Sequence, residues 1–136
     1  ITNSVLNDDG LLLIIVPNDF NPFQILLNES CDYAPWWIAP PHHLNYFNKD
    51  SLSRMLDRCG FDVVHNETTF PIDMFLLMGD NYIGNDELGR SCHKKRMNFD
   101  TNLSKNPILN TKLKKAFAQL DLGRELVILA RKRPVV

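Results

Sequence analysis

His43 is the residue of this chain whose type and setting best suit proton chemistry. It stands in "PWWIAPPHHLNYF", Pro35 to Phe47, where two tryptophans, three prolines and a histidine pair precede an amphipathic helix. Imidazole titrates near neutrality, so such a side chain can orient or deprotonate a hydroxyl. The other reading is a histidine that caps backbone groups of its own turn. Trp36, Trp37, Tyr46 and Phe47 can wall a pocket, and an aromatic face also tolerates a cation. Alternatively, both tryptophans pack against helices later in the chain. On the letters alone both readings stand.

Other titratable groups carry less. His42 is adjacent to His43 and points elsewhere. A metal site from His42, His43, His65 and His93 is rejected, because no pair has ligand spacing on one helix face. "RSCHKKRM", Arg90 to Met97, is the one dense basic run inside the fold. It could hold an anionic group such as a phosphate, or form a solvated helix face that Asp86, Glu87 and Asp100 partly offset. Cys31, Cys59 and Cys92 are odd in number and widely spaced, which fits neither a disulfide framework nor a zinc pattern.

Strands and helices must position these groups. "NDDG" at positions 7 to 10 is turn chemistry. Leu11 to Val16 is an apolar run without alternation, read as a strand buried on both faces and ended by Pro17. Asn48 is the expected N-cap of a helix carrying Leu52, Met55, Leu56 and Cys59 at helical spacing. Gly60 supplies its left-handed stop. "FDVVH" then forms a second strand, completing a βαβ unit. Residues 68–125 read as a helical segment: a short apolar helix broken by glycines, a weak helix over Asp86 to Leu103, and a firmer one over Pro107 to Leu122. Asn106-Pro107 starts that last helix and Gly123 stops it. "ELVILARKRP" closes the chain as a third strand with Arg131, Lys132 and Arg133 at an exposed end.

The totals bound the class. The chain has 136 residues, 44% hydrophobic and 23% charged, with a formal net charge of -1. That is an ordinary globular composition for one domain. Neutral balance argues against nucleic acid and membrane surfaces as partners, since both favour a basic excess. "GLLLIIVP" is too short to span a bilayer, and a signal peptide is not evident. A cytoplasmic home is the default. The chain opens at Ile1, within what reads as the end of a helix over Thr2 to Leu6, and is expected to be a piece of a longer protein.

"DDGLLLIIVPN", "HLNYFNKDSLSRMLDRCGFDVV" and "ELVILARKR" together resemble the C-terminal half of a class I S-adenosylmethionine-dependent methyltransferase. The matching group reads "GG-hydrophobic strand-PN", then "H-x-x-x-F-(S/T)-x-x-S-L", then "GF". The resemblance covers positions 5–66 and 126–133. It implies a partial Rossmann-like α/β sheet of three strands, the last antiparallel, with 68–125 as a helical insertion that serves as a lid over the acceptor. His43 falls on the family's loop histidine and becomes the catalytic candidate, with Asn18, Trp36, Trp37, Tyr46 and Phe47 as acceptor-binding candidates. S-adenosylmethionine is the implied cofactor of the parent protein. The chain itself has six glycines and no G-x-G motif, so a cofactor-binding half is expected elsewhere.

The implied activity is methyl transfer to a small-molecule or sugar-linked acceptor. The rival is a non-catalytic module built for protein binding or dimerisation. In the family's order Leu11–Val16 is central, and Leu126–Ala130 lies between it and Phe61–His65. The far side of Leu11–Val16 would then lack a partner, and it is expected to be covered by a second copy or by N-terminal residues.

Overall fold

The computed structural model describes residues 5–134. Three strands form one sheet: β1 (Leu11–Pro17), β2 (Phe61–Thr68) and β3 (Glu125–Lys132). Their order is β1-β3-β2, with β3 antiparallel to both neighbours. β1 and β2 therefore run parallel to each other with the last strand between them, the order expected from the sequence. The pairing register sets Leu13 opposite Leu129 and Thr68 opposite Leu126, with an irregularity between Val63 and His65. Five helices fill the connections among the described residues: α1 (Pro22–Ser30), α2 (Lys49–Arg58), α3 (Met74–Leu77), α4 (Asp86–Leu103) and α5 (Pro107–Gln119). The helix expected over Thr2 to Leu6 falls mostly outside the described residues.

The core follows from alternation. Leu126, Ile128 and Ala130 of β3 share one sheet face with Leu12, Ile14 and Val16 of β1, and α2 lays Leu52 and Leu56 onto it beside Phe61. The helix is set by local chemistry. Asn48 accepts from Ser51 N at 2.9 Å while Ser51 Oγ accepts from Asn48 N at 3.0 Å, a reciprocal capping box. Gly60, at φ +83°, turns the chain into β2.

The opposite sheet face corrects the expectation for β1. Leu11, Leu13 and Ile15 are 51%, 58% and 56% exposed. α5 reaches this face on the β2 side, where Lys114 pairs with Glu67 at 3.8 Å. It does not pack closely on β1, so that strand is half-buried on its core face and exposed on the other. Lys132 corrects another expectation. It is buried, its Nζ donates to Leu6 O at 2.7 Å and pairs with Asp8 at 3.3 Å, so it ties the N-terminal turn to β3. Arg131 and Arg133 are exposed as expected.

Between β2 and β3 a second, smaller core holds Phe70, Phe75 and Cys92 with Ile72, Tyr82 and Leu88 around them. α5 starts at Asn106-Pro107, with Asn106 accepting from Leu109 N at 3.1 Å. It ends at Gln119, and both Asp121 and Gly123 take positive φ in the turn that follows.

Candidate functional site

The chain leaves β1 through Pro17, Asn18 and Asp19, at the strand's carboxyl end. Asn18 is buried, and its side-chain amide donates to the carbonyls of Asp121 at 2.8 Å and Gly123 at 3.2 Å. Its backbone N–H donates to Arg124 O at 2.9 Å. These bonds pin the end of β1 to the turn that enters β3, so this candidate shapes the site chiefly by bracing its floor.

Asp19 follows at once. It exchanges bonds with the aromatic loop: its N–H donates to Phe47 O at 2.8 Å, and its Oδ2 accepts from Phe47 N at 3.3 Å. The loop is thereby fastened over the strand end. Burial pushes the Asp19 carboxyl above the usual range, while the Phe47 N–H and the nearby His43 imidazole pull it back.

α1 was not foreseen in the sequence. Asn21 caps it by accepting from Phe23 N at 3.0 Å and Gln24 N at 3.1 Å, and Pro22 fits its first turn. The Asn21 amide donates to Asn18 O and to Asp73 Oδ2, both at 3.1 Å. Asp73, buried in the segment after β2, also accepts from the Tyr82 hydroxyl at 3.4 Å. Burial raises the Asp73 carboxyl, with the Asn21 and Tyr82 bonds and the charge of Arg124 acting against it. Burial and the neighbouring Asp73 push the Tyr82 hydroxyl well above its ordinary range.

The tryptophans pack on their own loop and its neighbours. Trp36 and Trp37 meet edge to face at 5.0 Å, Tyr33 abuts Trp36 at 5.9 Å, and Phe20 abuts Trp37 at 5.7 Å. Tyr46 clamps the loop from behind, its hydroxyl accepting from Ala39 N at 3.1 Å and donating to His43 O at 2.9 Å. Phe47 packs against the main core. A cis peptide bond joins Pro40 to Pro41 within the same loop.

These parts enclose one cleft of about 430 Å³ beyond the carboxyl end of β1. Trp36, Trp37 and His43 form one wall, Asp19 and Gln24 lie toward the strand, and Asp73, Tyr82 and His93 come from the helical segment. Arg124, at the entry to β3, also lines it. Of the expected residues, Asn18, Trp36, Trp37 and His43 line this cleft, whereas Tyr46 and Phe47 stand behind it and hold the loop. His43 is exposed on the cleft wall, and its backbone N–H donates to Ala39 O at 3.1 Å. Asp19, Gln24, Asp73, Tyr82 and Arg124 were not singled out by sequence. Asp19 adjoins Asn18 in the "PNDF" loop, which was the one available signal.

Two residues that line this cleft each carry a polar atom buried out of contact with solvent and without a hydrogen-bond partner among the described residues. Gln24 is 8% exposed and its Oε1 is buried without a hydrogen bond, and the same is true of Trp37 Nε1. Two of the four Lys/Arg in the basic run are committed: Lys95 pairs with Asp80 at 2.7 Å and Arg96 with Asp100 at 3.4 Å, while Cys92 is buried in the smaller core.

S-adenosylmethionine does not fit the described residues. A Cβ at Gly79, Gly84 or Gly89 would meet open space, and one at Gly10 or Gly123 would strike backbone oxygen. No glycine occurs between β1 and α1 or between β2 and α3, the strand-to-helix connections that line the cleft, so a glycine-rich cradle is absent there. No helix among the described residues is long and apolar enough to cross a membrane. No protein-family model, curated protein or solved structure matches this chain.

Proposed function

We propose that this chain is the acceptor-binding half of an S-adenosylmethionine-dependent methyltransferase with a Rossmann-like sheet. One observation carries the reading. The loop histidine, the aromatic wall and the carboxyl end of β1 converge on a single cleft at the edge where open α/β sheets hold ligands. The strand order, with the antiparallel last strand between β1 and β2, agrees with it.

The residues here have three tasks in such a transfer. The aromatic wall and the helical segment position a small-molecule or sugar-linked acceptor and keep water off it. His43 takes the proton that a hydroxyl acceptor loses. Asn18 and Asn21 keep the strand end and the helical segment in register. The methyl group would come from the half of the parent protein that carries a glycine-rich loop.

The test is methyl transfer by the parent protein, followed as S-adenosylhomocysteine release. His43→Ala should slow turnover about a hundredfold while leaving cofactor affinity intact. An unchanged rate with a lowered melting temperature would move His43 to a structural role. The second reading is a non-catalytic binding or dimerisation module, favoured by the exposed apolar face of β1 and by its outer edge, which no strand among the described residues pairs. A parent chain without a glycine-rich first βα loop would select it.

A further inference from the structure

Gly89 lies within α4, where the fold itself has no use for a glycine. Its N–H donates to Asn85 O at 2.8 Å in ordinary helical fashion, and its φ is not positive. A Cβ at this position would meet no atom within 4 Å. Glycine inside a helix is costly relative to alanine, and here neither backbone angle nor close packing accounts for it. Its place does. Gly89 lines the cleft described above and also a second hollow of about 360 Å³ along α4, and the two share Tyr82 and His93 as well.

The two hollows differ in charge. In the cleft, the Asp19 and Asp73 carboxyls stand with Arg124, His43 and His93. Past Gly89, Arg90 and His93 stand with Asp86 as the one carboxyl. The Arg90 guanidinium makes no ion pair or hydrogen bond among the described residues, not even with Asp86 one turn earlier. Arg96 Nη2 lies 3.3 Å from His93 Nδ1. A guanidinium only donates, so Nδ1 accepts and the neutral ring carries its proton on Nε2. Arg90 and His93 are therefore both N–H donors, the kind of group an oxyanion needs. Resting on the acceptor-cleft reading above, we propose that cleft and hollow form one groove for a single elongated acceptor, a flat ring joined to a phosphate, and that Gly89 keeps the passage between them open. The ring lies against the half-buried Trp36 and Trp37. The phosphate lies past Gly89 at Arg90 and His93, away from the Asp19 and Asp73 carboxyls. A nucleoside phosphate has this form, and each hollow lies within the range of small-molecule sites.

Binding and stability should then move in opposite directions. Gly89→Ala and Gly89→Leu narrow the passage while improving helix propensity, so both should melt about 2–4 °C above the parent. Nucleotide affinity should fall with alanine and fall further with leucine, by about tenfold or more. Nucleosides, confined to the cleft, should bind nearly as before. Arg90→Gln should weaken nucleotide binding about tenfold while leaving melting and nucleoside binding unchanged. A purely structural Gly89 would not raise stability and lower affinity together.

The experiment is calorimetric titration of this chain with uridine, adenosine and their 5′-mono- and diphosphates, with inorganic phosphate as the short control. The chain's two tryptophans both line the cleft, so intrinsic emission reports the same event without a label. Nucleotides binding more tightly than nucleosides, and weakened by Gly89→Leu and Arg90→Gln without loss of stability, is the expected result. Nucleotides that bind no better than nucleosides or inorganic phosphate would overturn the proposal. So would a Gly89→Leu variant that binds nucleotides as the parent does, or one that melts early. Nucleotide binding without methyl transfer by the parent would sink the transferase reading alone. Methyl transfer to an acceptor lacking phosphate would sink this proposal alone.

Discussion

The side-chain amide of Asn21 donates to Asp73 Oδ2 at 3.1 Å, a buried bond between residues 52 positions apart. It joins the loop after β1 to the segment after β2, and the same side chain caps α1 through its oxygen. Asn21→Ala should therefore lose about 1 kcal/mol for the cap and about 1–3 kcal/mol for the carboxyl left without its donor. Asn21→Asp keeps the cap but sets two carboxyls against each other. It should be tolerated better in acid than at neutral pH. Urea denaturation of the three proteins checks this, and an alanine variant as stable as the parent would show that the joint holds nothing.

Asp73 sets a pH dependence of definite sign. In the folded chain its burial raises its pKa above the unfolded value, so the folded state binds the proton more tightly. The stability it contributes is complete below the unfolded pKa and is lost as pH rises through the folded one. Asp19, raised chiefly by burial as well, adds in the same direction. Asp73→Asn stays neutral throughout and can still accept from Asn21. Its stability relative to the parent should therefore improve as pH rises from the ordinary carboxyl range through the raised folded pKa. A difference that is flat across that range, or that grows toward acid, would contradict the assignment.

What the sequence disclosed was what short-range chemistry decides. Asn48 and Gly60 bracket α2, and Asn106-Pro107 specifies the start of α5. Asn21-Pro22 carries the same start signal for α1, yet the helix was missed because its apolar run is short and follows a strand-ending proline. The burial of β1 could not be read at all. "LLLIIV" has no alternation, and which face is covered depends on how far α5 reaches across the sheet. Lys132 was misjudged for a similar reason, since its partners Leu6 and Asp8 arrive from the other end of the chain. At the cleft, the residue types of His43, Trp36 and Trp37 advertised themselves. Gln24, Asp73 and Arg124 became visible only when three separate segments met.

Gly123 has a role its sequence position concealed. Its φ is +115°, and a Cβ there would lie 2.6 Å from Thr69 O and also strike the Thr68 side chain. The close approach lets Asn18 reach the Gly123 carbonyl and lets Thr68 Oγ1 donate to Glu125 O at 2.7 Å. Gly123→Ala should cost about 4 kcal/mol or more, because both the backbone angle and the space are denied. Gly84→Ala is the control, with a positive φ and open space around it. It should cost only about 1–2 kcal/mol. Equal losses at the two glycines, read by thermal melting, would show that the contact with Thr68 and Thr69 is not what matters.

The outer edge of β1 decides between the two functional readings. One side of the strand pairs with β3, and no strand among the described residues pairs with the other. Leu11, Leu13 and Ile15 add an exposed apolar stripe beside that edge. Natural edges are blunted by lysine, bulges or a covering element, and "LLLIIVP" contains no charge at all. Pairing of two β1 strands across a two-fold axis would continue the sheet and bring the stripes side by side. This chain alone should therefore dimerise by light scattering. Leu13→Lys should restore the monomer and, at an exposed position, change stability by no more than about 0.5 kcal/mol. A monomeric parent type would sink the pairing. The parent protein of the proposed reading would then separate the two: as a methyltransferase its further strand would fill the edge and leave it monomeric at β1, whereas as a dimerisation module it would pair as this chain does, and Leu13→Lys would dissociate both.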